Sequence, residues 1–184
     1  YKLVEVNGKI QAHITSFYDV VFNPSTVDRL THALAGCWLA GATLVLSVSA
    51  WYILKKRFTG GAEKSFKVAL VIGLIGVVGM GITGDSSARE VSIHQPAKFA
   101  AMEGVMETGA PLALHLVGWM NPSTHEVTGI SIPYMLTFLT HHDLDTTITG
   151  MNDIPQDERP PILPVFYSFH IMILIGCALG ALFL

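Results

Sequence analysis

Residues Leu30 to Leu54 read LTHALAGCWLAGATLVLSVSAWYIL, 25 positions without one Asp, Glu, Lys or Arg. A helix rises ~1.5 Å per residue and a hydrocarbon slab is about 30 Å thick, so this run alone can cross a bilayer. Two further uncharged runs follow, Val68 to Gly84 with 17 residues and Pro160 to Leu184 with 25. The shorter one reaches bilayer length if its helix begins near Glu63, with a charged first turn at the interface. A water-soluble domain would have to wrap three such helices on all sides, and 184 residues are too few to do so. The expected fold class is an all-alpha membrane protein, a fragment with three transmembrane helices and a long external loop.

Composition points the same way. Hydrophobic residues make up 51% of the chain and charged residues 14%, against about 25% charged in ordinary globular domains. The mean hydropathy is +0.49. So few charges, with a net charge of -3, exclude a nucleic-acid-binding surface and an intrinsically disordered chain. Cys37 and Cys177 are too few for a disulfide framework and lack metal-ligand spacing. Because the sequence opens at Tyr1 without a basic leader and closes inside an apolar run, a longer parent polypeptide is expected.

Loop charges set the orientation. Lys55, Lys56, Arg57, Lys64 and Lys67 surround a single acid, Glu63, between the first two runs, which marks the cytoplasmic side. The segment Asp85 to Arg159 carries ten acids and three bases and is expected outside. The layout is an outer segment at 1–24, helix A at 25–57, a cytoplasmic turn and helix B at 58–84, an outer loop at 85–160 and the start of helix C at 161–184. Pro24 and Pro161 suit helix starts.

This topology places His32, near the outer end of helix A, at the depth of Met172, about three turns into helix C. Imidazole and thioether from opposed helices can fill both axial positions of a six-coordinate haem iron, leaving none for oxygen. Taken singly, such a His is more often a hydrogen-bonded interface residue, and such a Met is more often packing. Ala33, Ala35, Gly36, Ala40, Gly41 and Ala42 permit close helix contact or room for a flat cofactor. His170, two residues before Met172, points to a different face.

The outer loop carries the second candidate site. Residues Glu90 to Glu107 show helical spacing, and Glu103 and Glu107, four apart, are expected to share a face, with Lys98 only loosely on that side. One ammonium and two carboxylates beside a bilayer suit a quinol head group and its protons. The competing reading is a solvated amphipathic surface helix. For the whole chain the alternative is a haem-free membrane packing or transport module.

Several motifs recur in a known order. Asn23-Pro24 precedes Arg29-Leu30-Thr31-His32, and Leu46 to Lys55 reads LSVSAWYILK. Gly84-Asp85-Ser86-Ser87, the run Lys98 to Glu103 and Phe169-His170-Ile171-Met172 follow. Over essentially its whole length the sequence resembles subunit I of the cytochrome bd quinol oxidases, in the short-loop form. The resemblance implies the middle of a larger subunit in the bacterial cytoplasmic (inner) membrane, with the quinol loop on the periplasmic side. It implies that His32 and Met172 are axial ligands of a low-spin haem b, and that Lys98 and Glu103 serve quinol oxidation. Glu107 matches a further acidic loop position, and Asp85 falls in a Gly-Asp motif that is expected to support local structure or the haem surroundings. The implied partners are ubiquinol or menaquinol, the remaining helices of subunit I, a second oxidase subunit and lipid. Ligands of a high-spin haem b and of haem d, where oxygen is reduced to water, would lie outside this sequence. One departure concerns the haem edge. Many members carry Arg at the position of His170, and Arg is always charged whereas histidine is not.

Overall fold

The computed structural model describes residues 2–6 and 8–184. The chain begins with strands β1 (Lys2–Val6) and β2 (Lys9–His13) and helices α1 (Phe17–Val21), α2 (Thr26–Leu54), α3 (Thr59–His94) and α4 (Pro96–Glu103). Strands β3 (Leu114–Met120) and β4 (Val127–Ile132) and helices α5 (Met135–His141) and α6 (Ile162–Phe183) follow. α2, α3 and α6 are long and apolar enough to cross a membrane.

α2 starts where the Asn23 side-chain oxygen accepts hydrogen bonds from the Ser25 N–H (3.1 Å) and hydroxyl (2.8 Å), turning the chain just before the helix. Asp28 in its first turn complements the helix dipole. Four residues then reverse the chain, with Lys56 and Phe58 in the left-handed region. α3 consequently begins at Thr59, one turn before Glu63. Small residues let the two helices touch. A Cβ on Gly76 would stand 3.4 Å from the Leu39 backbone, one on Gly79 3.6 Å from Ala35, and one on Gly36 3.6 Å from the Met80 sulfur. Such close approach is how helices associate where the surrounding solvent is itself apolar. Only 17%, 17% and 11% of the apolar windows of α2, α3 and the last span are buried, so their remaining faces need lipid or further helices.

α6 is fastened at both ends. Near its C-terminus the Phe183 ring occupies the space beside Gly73 where a side chain would otherwise project, and Gly180 lies against Val77. Near its N-terminus the fully buried Phe166 and the buried His170 meet a layer folded from residues between α3 and α6. That layer has a core of its own, including Phe99, Ala101, Leu136, Ile148 and Met151, with Val91 of α3 and Val165 of α6 packed against it.

Three expectations need correction. The fold is not purely helical, because β1 pairs antiparallel with β2 (Lys2↔His13 to Val6↔Lys9) and β3 with β4 (Leu114↔Ile132 to Met120↔Val127). In the first hairpin Gly8, with φ +74°, immediately precedes β2. In the second, the Asn121 side chain accepts from the Ser123 N–H at 2.9 Å to make the turn. Gly129 there has φ +154°, and a Cβ would strike the Val117 carbonyl oxygen.

Helix B, expected to end at Gly84, instead continues as α3 to His94. Its 36 residues span about 54 Å, well past a 30 Å slab. The i,i+4 pairs Asp85–Arg89 (2.8 Å) and Glu90–His94 (3.2 Å) carry it outward. It stops at Gln95, with φ -140°, because the residue before Pro96 is disfavoured in the α region.

The third correction concerns Glu103 and Glu107, which do not share a helix face. α4 ends at Glu103 because Gly104 takes φ +72°, and a Cβ there would lie 2.6 Å from Val127.

Candidate functional site

His32 is half-buried on the side of α2 that meets α3. Its Nδ1 lies 3.1 Å from the Thr83 hydroxyl. The ring rests by Gly84, where a Cβ would be 3.6 Å from its Cε1. Among the described residues nothing pairs with Nε2, so one nitrogen is tethered and the other keeps its chemistry. The seam of small residues sets this meeting, since Ala35, Gly36 and Leu39 fix the register of α2 on Gly79, Met80 and Gly76. Ala33, Ala40 and Gly41 lie on the exposed side of α2 instead.

Just beyond His32, the Ser86 hydroxyl donates to Asp28, and Asp85 is paired with Arg89. The Arg89 Nε is buried without a partner. Asp85 is thus the anchor of a guanidinium and stands next to Gly84 on α3.

Met172 is 52% exposed, within a stretch from Ile171 to Ile175 whose five side chains are all exposed. At the far end Gly180 sits at Val77. Counted along each helix from that contact, Met172 is about 12 Å of rise toward the N-terminus of α6 and Thr83 about 9 Å toward the C-terminus of α3.

His170 goes elsewhere. Its Nδ1 is 3.0 Å from the Phe166 carbonyl oxygen and its Nε2 3.2 Å from that of His115, with the ring 4.1 Å from the Phe166 ring. Two residues along a helix is roughly 200°, so His170 and Met172 lie on opposite sides of α6. Tyr167 adds to this fastening. Its hydroxyl accepts from the Met120 N–H (3.2 Å) and donates to the Met120 carbonyl (3.3 Å), tying β3 to α6.

In the layer between α3 and α6, Glu103 is 5% exposed and its Oε2 has no partner among the described residues. Burial pushes its carboxyl up to about 7. Lys98 is exposed on the same short helix. Five residues place it about 140° round from Glu103, and the structure does not bring the two into an ion pair. Glu107 is exposed and lines an open groove of about 740 Å³ with His115, His125, Glu126 and Arg159. Burial, and then the neighbouring His170, lower the basicity of His115. Sequence reasoning missed Thr83 and His115. A threonine at the outer end of an apolar run was a usable signal for the first, whereas His115 had none, its place depending on the hairpin.

Residues 2–184 match the family described as cytochrome bd terminal oxidase subunit I. The chain is 34% identical over 153 residues to cytochrome bd-II ubiquinol oxidase subunit 1 of Escherichia coli K12, covering 82% of this chain and 30% of that protein. It is 30% identical over 194 residues to cytochrome bd ubiquinol oxidase subunit 1 of Bacillus subtilis 168, covering 97% and 41%. The bd oxidase structure from Geobacillus thermodenitrificans aligns with TM-score 0.81 and 32% identity over 90% of this chain and 38% of that one. The chain thus spans 30–41% of the length of these relatives. With three membrane-length helices, a tethered histidine and a folded outer layer matched along nearly every residue, the chain belongs to the cytochrome bd terminal oxidase subunit I family.

Proposed function

We propose that this chain is the electron-input portion of a quinol:oxygen oxidoreductase of the bacterial inner membrane, with segment 85–160 on the periplasmic side. One observation carries the reading. His32 presents an imidazole tethered at Nδ1, with Nε2 unengaged among the described residues, and Met172 offers an exposed thioether on α6, at a depth we take to match that of His32. The donor set suits a haem, since imidazole and thioether are the axial pair of low-spin electron carriers. His32 and Met172 would hold a low-spin haem b. That haem would supply one-electron chemistry between ubiquinol or menaquinol and a high-spin haem b and haem d, which would be held elsewhere in the subunit for the reduction of oxygen to water.

The residues of this chain supply the proton and binding chemistry. Glu103, with its carboxyl near neutrality, accepts a proton from the quinol head group and gives it up again within the physiological range. Lys98, exposed on the other side of α4, meets the head group on approach. Glu107 in the open groove carries protons outward. Asp85 supports the haem surroundings by holding Arg89. His170 supports them by fastening the hairpin to α6 two residues before Met172. The exposed apolar faces accept lipid, the other helices of subunit I and a second oxidase subunit.

The test uses the assembled oxidase carrying Lys98→Ala or Glu103→Ala, assayed at limiting quinol with haem content measured separately. Turnover is expected to fall, for Glu103 by about a hundredfold or more, the usual contribution of a positioned acid–base group. Haem stoichiometry should hold. Normal turnover in both variants would remove the loop from the quinol site, and loss of haem together with activity would mean structural damage.

A further inference from the structure

The outer end of the α2–α3 seam carries a polar side chain that the function above leaves unused. Thr83 stands inside the apolar run of α3, half-buried, one turn beyond Gly79. Its hydroxyl oxygen is 2.7 Å from the Gly79 carbonyl oxygen and 3.1 Å from His32 Nδ1. A hydroxyl has one proton and two lone pairs. The shorter contact, to the carbonyl four residues back, is the habitual back-bond of threonine in a helix, and a carbonyl can only accept. With its proton committed there, the oxygen meets Nδ1 as an acceptor. Nδ1 must therefore carry the hydrogen, which leaves the lone pair of the neutral ring on Nε2. The nearest carboxylates are occupied elsewhere, Asp28 by Ser86 and Asp85 by Arg89.

From this geometry we propose that Thr83 is a positioning residue that locks His32 in the Nδ1–H form and raises the donor strength of Nε2. The proposal rests on the reading of His32 as a haem ligand. An acceptor on the second ring nitrogen fixes the tautomer and ring orientation and makes the imidazole a more basic ligand. A more basic ligand favours the higher oxidation state of a bound iron. Removing the acceptor therefore favours the reduced state and moves the midpoint potential upward.

The experiment is a redox titration of the low-spin haem band in the assembled oxidase carrying Thr83→Val, Thr83→Ser or His32→Ala. Thr83→Val keeps the shape and loses the oxygen, while Thr83→Ser keeps the oxygen. The low-spin band should survive in Thr83→Val with its midpoint raised, and Thr83→Ser should titrate with the parent. The size of the rise reads the change in the ratio of affinities for oxidised and reduced iron, each tenfold of which is ~59 mV for a one-electron couple. Thr83→Ala carries the same comparison if valine prevents assembly. Coincident curves for parent and Thr83→Val overturn the proposal, as does a serine variant that shifts as far as the valine variant. His32→Ala separates the two levels. If it loses the low-spin band while Thr83→Val does not shift, only the role of Thr83 falls. If it keeps the band, the ligand reading falls and this proposal with it.

Discussion

Met172→Leu in the assembled oxidase is expected to remove the low-spin haem band while the helices stay in place. The substitution takes away the thioether sulfur, so an iron that relied on it loses one axial ligand and its low-spin state. Packing changes little. Met172 is 52% exposed within this chain, and its neighbours from Ile171 to Ile175 are exposed as well. A Met-to-Leu exchange that conserves volume usually costs less than about 1.5 kcal/mol. The measurement pairs a reduced-minus-oxidised spectrum with thermal unfolding followed by circular dichroism. An unchanged band in a protein of unchanged stability would defeat the assignment of Met172.

Glu103→Gln should have the second large effect, and it should be visible in pH dependence. The folded protein holds this proton up to about pH 7, against 4.5 for an unperturbed carboxyl, because burial disfavours the charge. Below pH 4.5 both folded and unfolded chains are protonated and the burial is free of penalty. As pH rises from there to about 7 the unfolded chain ionises first, and stability is lost at up to 1.36 kcal/mol per unit, about 3 kcal/mol in all. Above that the loss is constant. Glutamine does not ionise, so the variant should lack this slope and exceed the parent in stability at pH 8. Turnover should change in the opposite sense. The parent should speed up as pH rises through about 7 and the carboxylate becomes available to accept a proton, whereas the variant should be slow throughout and lack that limb. Thermal unfolding and quinol turnover between pH 5.5 and 8.5 test both halves. A parallel stability slope in parent and variant would show that Glu103 is not the group responsible.

The uncharged run Leu30 to Leu54 lies within α2 and ends with it, and the run from Pro160 contains α6, because a span is mainly a matter of length and charge. The same rule misjudged α3. Counting charges shows where a helix leaves apolar surroundings, whereas its end depends on side-chain pairs such as Asp85–Arg89 and on the Pro96 that breaks it. The hairpins were overlooked because short alternating stretches are weak signals beside three long apolar runs. For the sites, the place of His32 on the first span and of Met172 on the last was readable from the sequence. The burial of Glu103 was not, since it depends on what packs at the end of α4, where Val127 approaches Gly104. The Thr83–His32 contact depends on the exact register of two helices, which Gly76 and Gly79 set through contacts that no single-helix pattern reveals.

The length of α3 has an evolutionary corollary. Thr83 near its middle and Val91 near its end belong to one uninterrupted helix, the first touching His32 and the second embedded in the outer layer. Adding or deleting a single residue between them would swing everything beyond by about 100° and shift it by 1.5 Å. Val91 would then face away from the core it now fills. Extra chain is expected to be tolerated instead in the irregular stretches after Gly104, where it can loop out without disturbing the phase between the two ends of the rod.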